Sequence, residues 1–271
     1  MTRHCLAIPA ATFFVISSLY STSAQTQPDN PQLPSTNVSA PAPKPAAAMS
    51  EEDLARLYLI KKQYHEAEEI FRRLTLEQPK NAIYWNELGI SFHSQTELAL
   101  ALKCYEKSAK LDSHYADAVN NIGTIWYERK KYPKAIRSYK KAITLHDDFA
   151  PFYLNLGYAY FGEKEYEDSI TAFRKALQID PESFDPSRSH AGTVIQDRSL
   201  SSERGRFYFL LAKSFAQAGN TERCVIYLKK ARDEGYTEMH TVSSDPSFAA
   251  VLKDPVVQEI LAPKPAETAH P

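Results

Sequence analysis

The sequence predicts an all-α solenoid of about five helix-turn-helix units, closed at its C-terminal end by short capping helices. Three observations carry that prediction. Gly89, Gly123 and Gly157 lie 34 residues apart, inside the matching segments WNELGISF, VNNIGTIW and YLNLGYAY. Ala101, Ala135 and Ser169 follow them at one fixed offset, and Tyr105, Tyr139 and Phe173 at another. Within each period the apolar residues recur at i, i+3, i+4 and i+7, the spacing of a helix with one buried face. A chain with this self-similarity stacks units that each touch mainly their neighbours, and such a stack makes surfaces more readily than enclosed active sites.

The elements follow in order. Residues 1–24 open with Arg3 and His4, continue through an apolar run from Leu6 to Leu19, and close on Thr22-Ser23-Ala24. This is the order of a cleaved export signal. The run contains Pro9 and falls short of the roughly 20 residues that span a bilayer. The expected location is therefore extracytoplasmic, in a bacterial periplasm or secreted, with a mature chain beginning at Gln25. Residues 25–47 hold six prolines and no aromatic residue, the composition of a disordered linker. Asn37-Val38-Ser39 within it fits a glycosylation acceptor.

Units one to four are expected at 48–81, 82–115, 116–149 and 150–183, each with two helices. In the second unit Ile83, Trp85, Leu88 and Phe92 mark the first helix, and Leu98, Ala101, Leu102 and Tyr105 the second. Pro79 and Pro181 stand where second helices end, because proline cannot continue the hydrogen-bond ladder. A polar stretch, 184–204, reads as an insertion loop, and unit five is placed at 205–238. Asp245-Pro246 and Asp254-Pro255 each offer an N-cap followed by proline at the first helical position. They start the capping helices expected in 239–262, before a disordered tail at 263–271. The small residues at Gly and Ala positions are expected where paired helices cross. The aromatics Trp85, Tyr105, Trp126, Tyr139, Tyr153 and Phe173 are expected between neighbouring units.

Charge and cysteine content narrow the partners. The formal net charge is −1, and without Arg3 of the signal 31 basic side chains face 33 acidic ones, a net −2. Such a balance predicts neither a nucleic-acid footprint nor a polybasic segment for an anionic membrane. Cys104 and Cys224 fall in different units and are expected to be buried and unpaired. The acidic residues Glu66, Glu68 and Glu69 are expected on a solvated helix face beside Arg72 and Arg73. No phosphate loop, nucleophile elbow, HExxH or CxxC is present, and the histidines show no i, i+4 pairing. No catalytic residue, metal site or cofactor is expected.

The pattern resembles the tetratricopeptide repeat family. The second unit carries Trp85, Leu88-Gly89, Phe92, Ala101 and Tyr105; the fourth carries Tyr153, Leu156-Gly157, Tyr160, Phe173, Ala176 and Pro181. The first unit matches through Leu54-Ala55, Tyr58, Ala67, Phe71 and Pro79, and the fifth through Tyr208, Leu211-Ala212, Phe215, Cys224, Leu228 and Ala231. The resemblance implies a right-handed superhelix whose first helices line a concave groove. It also implies a non-catalytic scaffold that binds a protein or an extended peptide in that groove. The residues then expected to contact the peptide are Asn86, Ile90, Asn120, Asn121, Thr124, Tyr127, Leu154, Asn155 and Tyr158. The asparagine amides suit capture of a backbone, since each both donates and accepts. Family members that clamp acidic tails use Lys and Arg, whereas these places hold Glu52, Arg56, Asn86, Asp117, Asn121 and Asn155. The alternative is a structural subunit or assembly factor of a cell-envelope complex, such as a secretion or pilus accessory. No nucleic-acid partner and no membrane insertion after signal removal are expected, and the oligomeric state stays open.

Overall fold

The computed structural model describes residues 49–185 and 203–262. The export signal, the proline-rich linker, the middle of the 184–204 insertion and the C-terminal tail lie outside the described residues. Those described form eleven α-helices and no strand. The helices are α1 (Glu51–Ile60), α2 (Tyr64–Glu77), α3 (Ala82–Ser94), α4 (Leu98–Leu111), α5 (Ala116–Glu128) and α6 (Tyr132–Leu145). They continue with α7 (Ala150–Glu163), α8 (Tyr166–Ile179), α9 (Arg204–Gln217), α10 (Thr221–Asp233) and α11 (Pro255–Leu261). Each helix packs on the next, most closely within the pairs α3/α4, α5/α6, α7/α8 and α9/α10. The first helices α1, α3, α5 and α7 also touch in turn across units, so they form an inner row and their partners an outer one.

Helix starts fall at Ala82, Ala116 and Ala150, the first residues of the expected units. The turn inside each unit has one construction. A left-handed residue ends the first helix at Lys62, Thr96, Lys130 and Lys164, again 34 apart, and at Gly219 in the fifth unit. The amide that follows bonds back to a carbonyl five residues earlier: Gln63 to Tyr58, Glu97 to Phe92, Lys131 to Trp126, Glu165 to Tyr160 and Asn220 to Phe215, at 2.8–2.9 Å. This closure satisfies carbonyls that the helix leaves open. Glycine is the residue suited to it, and four of the five turns adopt it without glycine.

The packing corrects the expected roles of the small and aromatic residues. A Cβ built on Gly89, Gly123 or Gly157 would lie 2.5, 2.6 or 2.3 Å from the ring of Tyr105, Tyr139 or Phe173 respectively. Each glycine thus makes room for the aromatic ring of its own unit's second helix. These rings are fully buried inside the helix pair and do not serve chiefly as spacers between units. Trp85 and Tyr153 are half-buried and strap the incoming turn instead. Trp85 Nε1 donates to the Pro79 carbonyl and Tyr153 Oη to the Asp147 carbonyl, both at 3.0 Å. Ser169, which stands where the repeat favours alanine, donates its hydroxyl to the Gly157 carbonyl at 2.9 Å. Glu68 is buried, contrary to the solvated face expected: it accepts from Arg72 at 2.8 Å and from Gln95 of the next unit at 2.7 Å.

Units four and five share an aromatic core across the insertion. Phe184 belongs to it, with ring centroids 5.3 Å from Phe173 and 5.7 Å from Phe215, and Phe207 stacks on Tyr158 at 5.5 Å. The end of the stack is covered as expected at two places and by one further element. Asp245 caps a single 3-10 turn, Pro246–Phe248, and Asp254 caps α11; each carboxylate accepts an amide within 2.9 Å. A longer 3-10 segment, Thr237–Ser243, precedes them. Val242, Phe248, Val251, Val257 and Ile260 are buried by this cover.

Charge is segregated, which corrects the reading of a balanced chain. Residues 129–141 carry Arg129, Lys130, Lys131, Lys134, Arg137, Lys140 and Lys141 and no acidic residue. A total near zero conceals such a run because acidic residues accumulate elsewhere in the chain.

Candidate functional site

The residues expected to hold a peptide divide into two sets. Asn86, Asn120, Asn121 and Asn155 are buried, and their amides bond to one another along the inner row. Asn155 Nδ2 donates to Asn120 Oδ1 at 2.9 Å, Asn120 Nδ2 to Asn121 Oδ1 at 3.3 Å, and Asn121 Nδ2 to Asn86 Oδ1 at 3.0 Å. Asn86 Nδ2 then donates to Tyr115 Oη at 3.4 Å. The chain of amides links α7, α5 and α3, with links between units spanning 35 residues. Such a buried network fixes one register between neighbouring units. Asn86 and Asn121 therefore move from ligand contacts to structure, because their amides are engaged inside the stack.

Thr124, Tyr127 and Leu154 are buried as well. Thr124 receives the Tyr139 hydroxyl at 3.3 Å, and Tyr127 meets Tyr132 edge-on with centroids 5.4 Å apart. Ile90 and Tyr158 are half-buried. Tyr158 lies against Phe173 and Phe207 and so belongs to the junction between units four and five. The nine expected residues do not make one exposed surface.

Beside the amide network the inner row of units one to three gathers a second group. Tyr84 Oη donates to Glu52 at 2.9 Å, and Arg56 bonds Glu52 at 2.8 Å and reaches Glu87 at 3.8 Å. Asp117 completes the group. Burial pushes the Glu87 carboxyl above its usual range, and Asp117 and Glu52 add to that rise while Arg56 opposes it. Burial likewise raises Asp117, with His146 opposing. Tyr115, between Asp117 and Glu87, is raised first by burial and then by those two charges. Glu52 and Glu87 thus share one guanidinium in partly dehydrated surroundings, and Asp117, near enough to raise Glu87, makes no ion pair among the described residues. A positive charge placed there would relieve the repulsion.

Sequence reasoning named Glu52, Arg56 and Asp117 only as the absence of a cationic clamp and did not single out Glu87. The available signal was Glu87 itself, a lone charge in the otherwise neutral helix α3. Both cysteines are buried, and burial pushes the Cys104 thiol to about 11 and the Cys224 thiol to about 12. Neither is a thiolate at neutral pH. Among the described residues no group of three or more His, Cys, Asp or Glu could hold a metal.

Comparison with known proteins agrees with the repeat. A tetratricopeptide repeat model matches residues 52–116, a TPR repeat model 123–163, and a further tetratricopeptide repeat model 150–183. No curated protein matches the chain. Among solved structures, the Pseudomonas aeruginosa PilF protein is 19% identical over 78% of this chain and 85% of its own, with a TM-score of 0.51. MamA is 21% identical over 71% of this chain and 99% of its own, with a TM-score of 0.48. The portion of MamA from residue 41 onward from Desulfovibrio magneticus RS-1 is 17% identical over 68% and 92%, also at 0.48. At these identities the likeness concerns the fold alone.

Proposed function

We propose that this chain, a tetratricopeptide-repeat protein, is an exported, non-catalytic scaffold that holds a cationic protein segment against its inner row. The observation that carries the proposal is the gathering of Glu52, Glu87 and Asp117 on adjacent first helices, where Arg56 pairs with the first two only. The three lie on α1, α3 and α5, so an extended segment running along the row meets them in succession. Lysine or arginine side chains of such a segment would enter sites already short of positive charge, and hydrogen bonds to charged groups are the stronger kind. The export reading rests on the order of Arg3, the apolar run and Thr22-Ser23-Ala24. The scaffold reading rests on repeats that present a row of side chains along adjacent first helices, the arrangement of a binding surface.

A calorimetric titration with two peptides tests the proposal. One alternates lysine with glycine and serine, and the other replaces lysine with glutamate. The lysine peptide should bind and the glutamate peptide should not. Equal binding of both, or binding of the glutamate peptide alone, would overturn the charge assignment.

A further inference from the structure

The exposed face of α6, in the outer row, carries the opposite charge, and no role described so far uses it. In α6 the residues Lys134, Arg137 and Lys141 are exposed and fall at i, i+3 and i+7, one stripe on the face turned away from the buried Ala135, Tyr139 and Ala142. The neighbouring outer helices add exposed Lys107 on α4 and Lys175 on α8. None of these five makes an ion pair among the described residues. Lys134 instead lies over the Trp126 ring, 4.3 Å from its centroid, and Lys107 over Trp85 at 5.9 Å. No acidic residue occurs from Arg129 through His146.

The geometry points to an anionic lipid surface as the partner of this outer face, held by charge without insertion. Three features favour a lipid surface over an acidic peptide. The positive charge is spread across three parallel helices and is not gathered in a groove. It is mostly lysine, a mobile point charge that suits diffuse attraction, whereas a fixed bidentate fork of arginine suits a particular carboxylate. It also stands on the outer row, which a surface can meet while the acidic inner row remains open. Basic residues close to an anionic leaflet attract it additively, and the attraction fades within a Debye length. Among the described residues no helix is long and apolar enough to cross a membrane, so attachment there is peripheral.

The test uses the full chain and vesicles of phosphatidylglycerol and phosphatidylcholine in equal parts, with phosphatidylcholine vesicles as reference. The quantity read is the gain in binding on the anionic vesicles, which removes any contribution from the apolar 6–19 segment. Three proteins are compared with the parent: Lys134→Gln/Arg137→Gln/Lys141→Gln, the control Lys61→Gln/Lys80→Gln/Lys253→Gln with the same change in net charge, and the arginine form of the stripe, Lys134→Arg/Lys141→Arg. The stripe variant should lose about a hundredfold of the anionic gain. The control and the arginine form should keep it, and high salt should abolish it. No anionic gain in the parent, or an equal loss in stripe variant and control, overturns the proposal. So does poly-glutamate binding through the stripe when vesicles do not bind, an outcome that would assign the face to an acidic protein.

Discussion

Replacing Gly157 by alanine tests how the repeat packs. The added Cβ would lie 2.3 Å from Cε1 and 2.4 Å from Cδ1 of Phe173, where ordinary contact is 3.4–4 Å. The ring must therefore retreat by about 1 Å, judged against ordinary packing distances in a dense interior. It has little room to do so, because it is fully buried and hemmed in by Tyr158, Phe184 and Phe207 at centroid distances of 5.4, 5.3 and 5.9 Å. Overpacking of this kind costs about 1–3 kcal/mol. Alanine returns about 1 kcal/mol of helix propensity over glycine, so the net loss should be about 0–2 kcal/mol. Leucine brings three further carbons with no larger return, and its loss should reach about 3 kcal/mol or more. Urea unfolding at constant slope measures both. In the Gly157→Ala background, Phe173→Leu should cost less than it does in the parent, since the smaller side chain relieves the clash. A Gly157→Ala protein stabilised by the full helix-propensity gain would show that the ring has space, and the glycine–aromatic pairing would fail.

Other expectations follow from single contacts. Asn121→Ala would strip the Asn121 amide from Asn86 Oδ1 in buried surroundings, costing about 1–3 kcal/mol in a denaturant melt; an unchanged midpoint would remove the network from the account. Thr96 holds φ at 65°, costly for a β-branched residue, so Thr96→Gly should be neutral or stabilising by up to about 1 kcal/mol, and a clear loss would contradict the turn. Ending the chain after Met239 would remove Phe248 from Phe209 and expose the apolar edge of the fifth unit, and sedimentation should then show association; a monomer of equal solubility would refute the cap. Glu87 and Asp117 bind protons more tightly folded than unfolded, so their contribution to stability falls as pH rises just above their ordinary 4.5 and 3.8. Glu87→Gln should accordingly melt higher than the parent at neutral pH, with the gap shrinking as pH falls through that window. A gap independent of pH would show that Glu87 is not destabilised by its charge.

The repeat was readable in the sequence because glycine, small residue and aromatic recur in register, and helix starts at Ala82, Ala116 and Ala150 follow from that alone. The partner of each glycine was not readable. A 34-residue period aligns Gly89 equally with Ala101 and Tyr105, and only the crossing of the helices decides that the ring meets it. The turns were missed for a related reason: Lys62, Thr96, Lys130 and Lys164 take a left-handed conformation that their side chains do not advertise. The asparagines were legible as a repeated polar feature of the inner row, yet position on a row does not say whether an amide faces a ligand or its neighbour. Their spacing of 35 residues, one more than the period, was the sign that they could meet across units. The carboxylate group went unread as a site because its members are 35 and 30 residues apart and belong to no motif.

The central claim is that the carboxylates of the inner row receive a cationic segment. The direct measurement is the affinity of Glu87→Gln/Asp117→Asn for the lysine peptide, with the thermal midpoint taken on the same sample. Each lost carboxylate removes a charged hydrogen-bond acceptor, so affinity should fall by about tenfold or more per residue. The midpoint should hold or rise, because two dehydrated and mutually repelling charges are gone. Unchanged affinity in a protein that is as stable as the parent, or more so, would contradict the account.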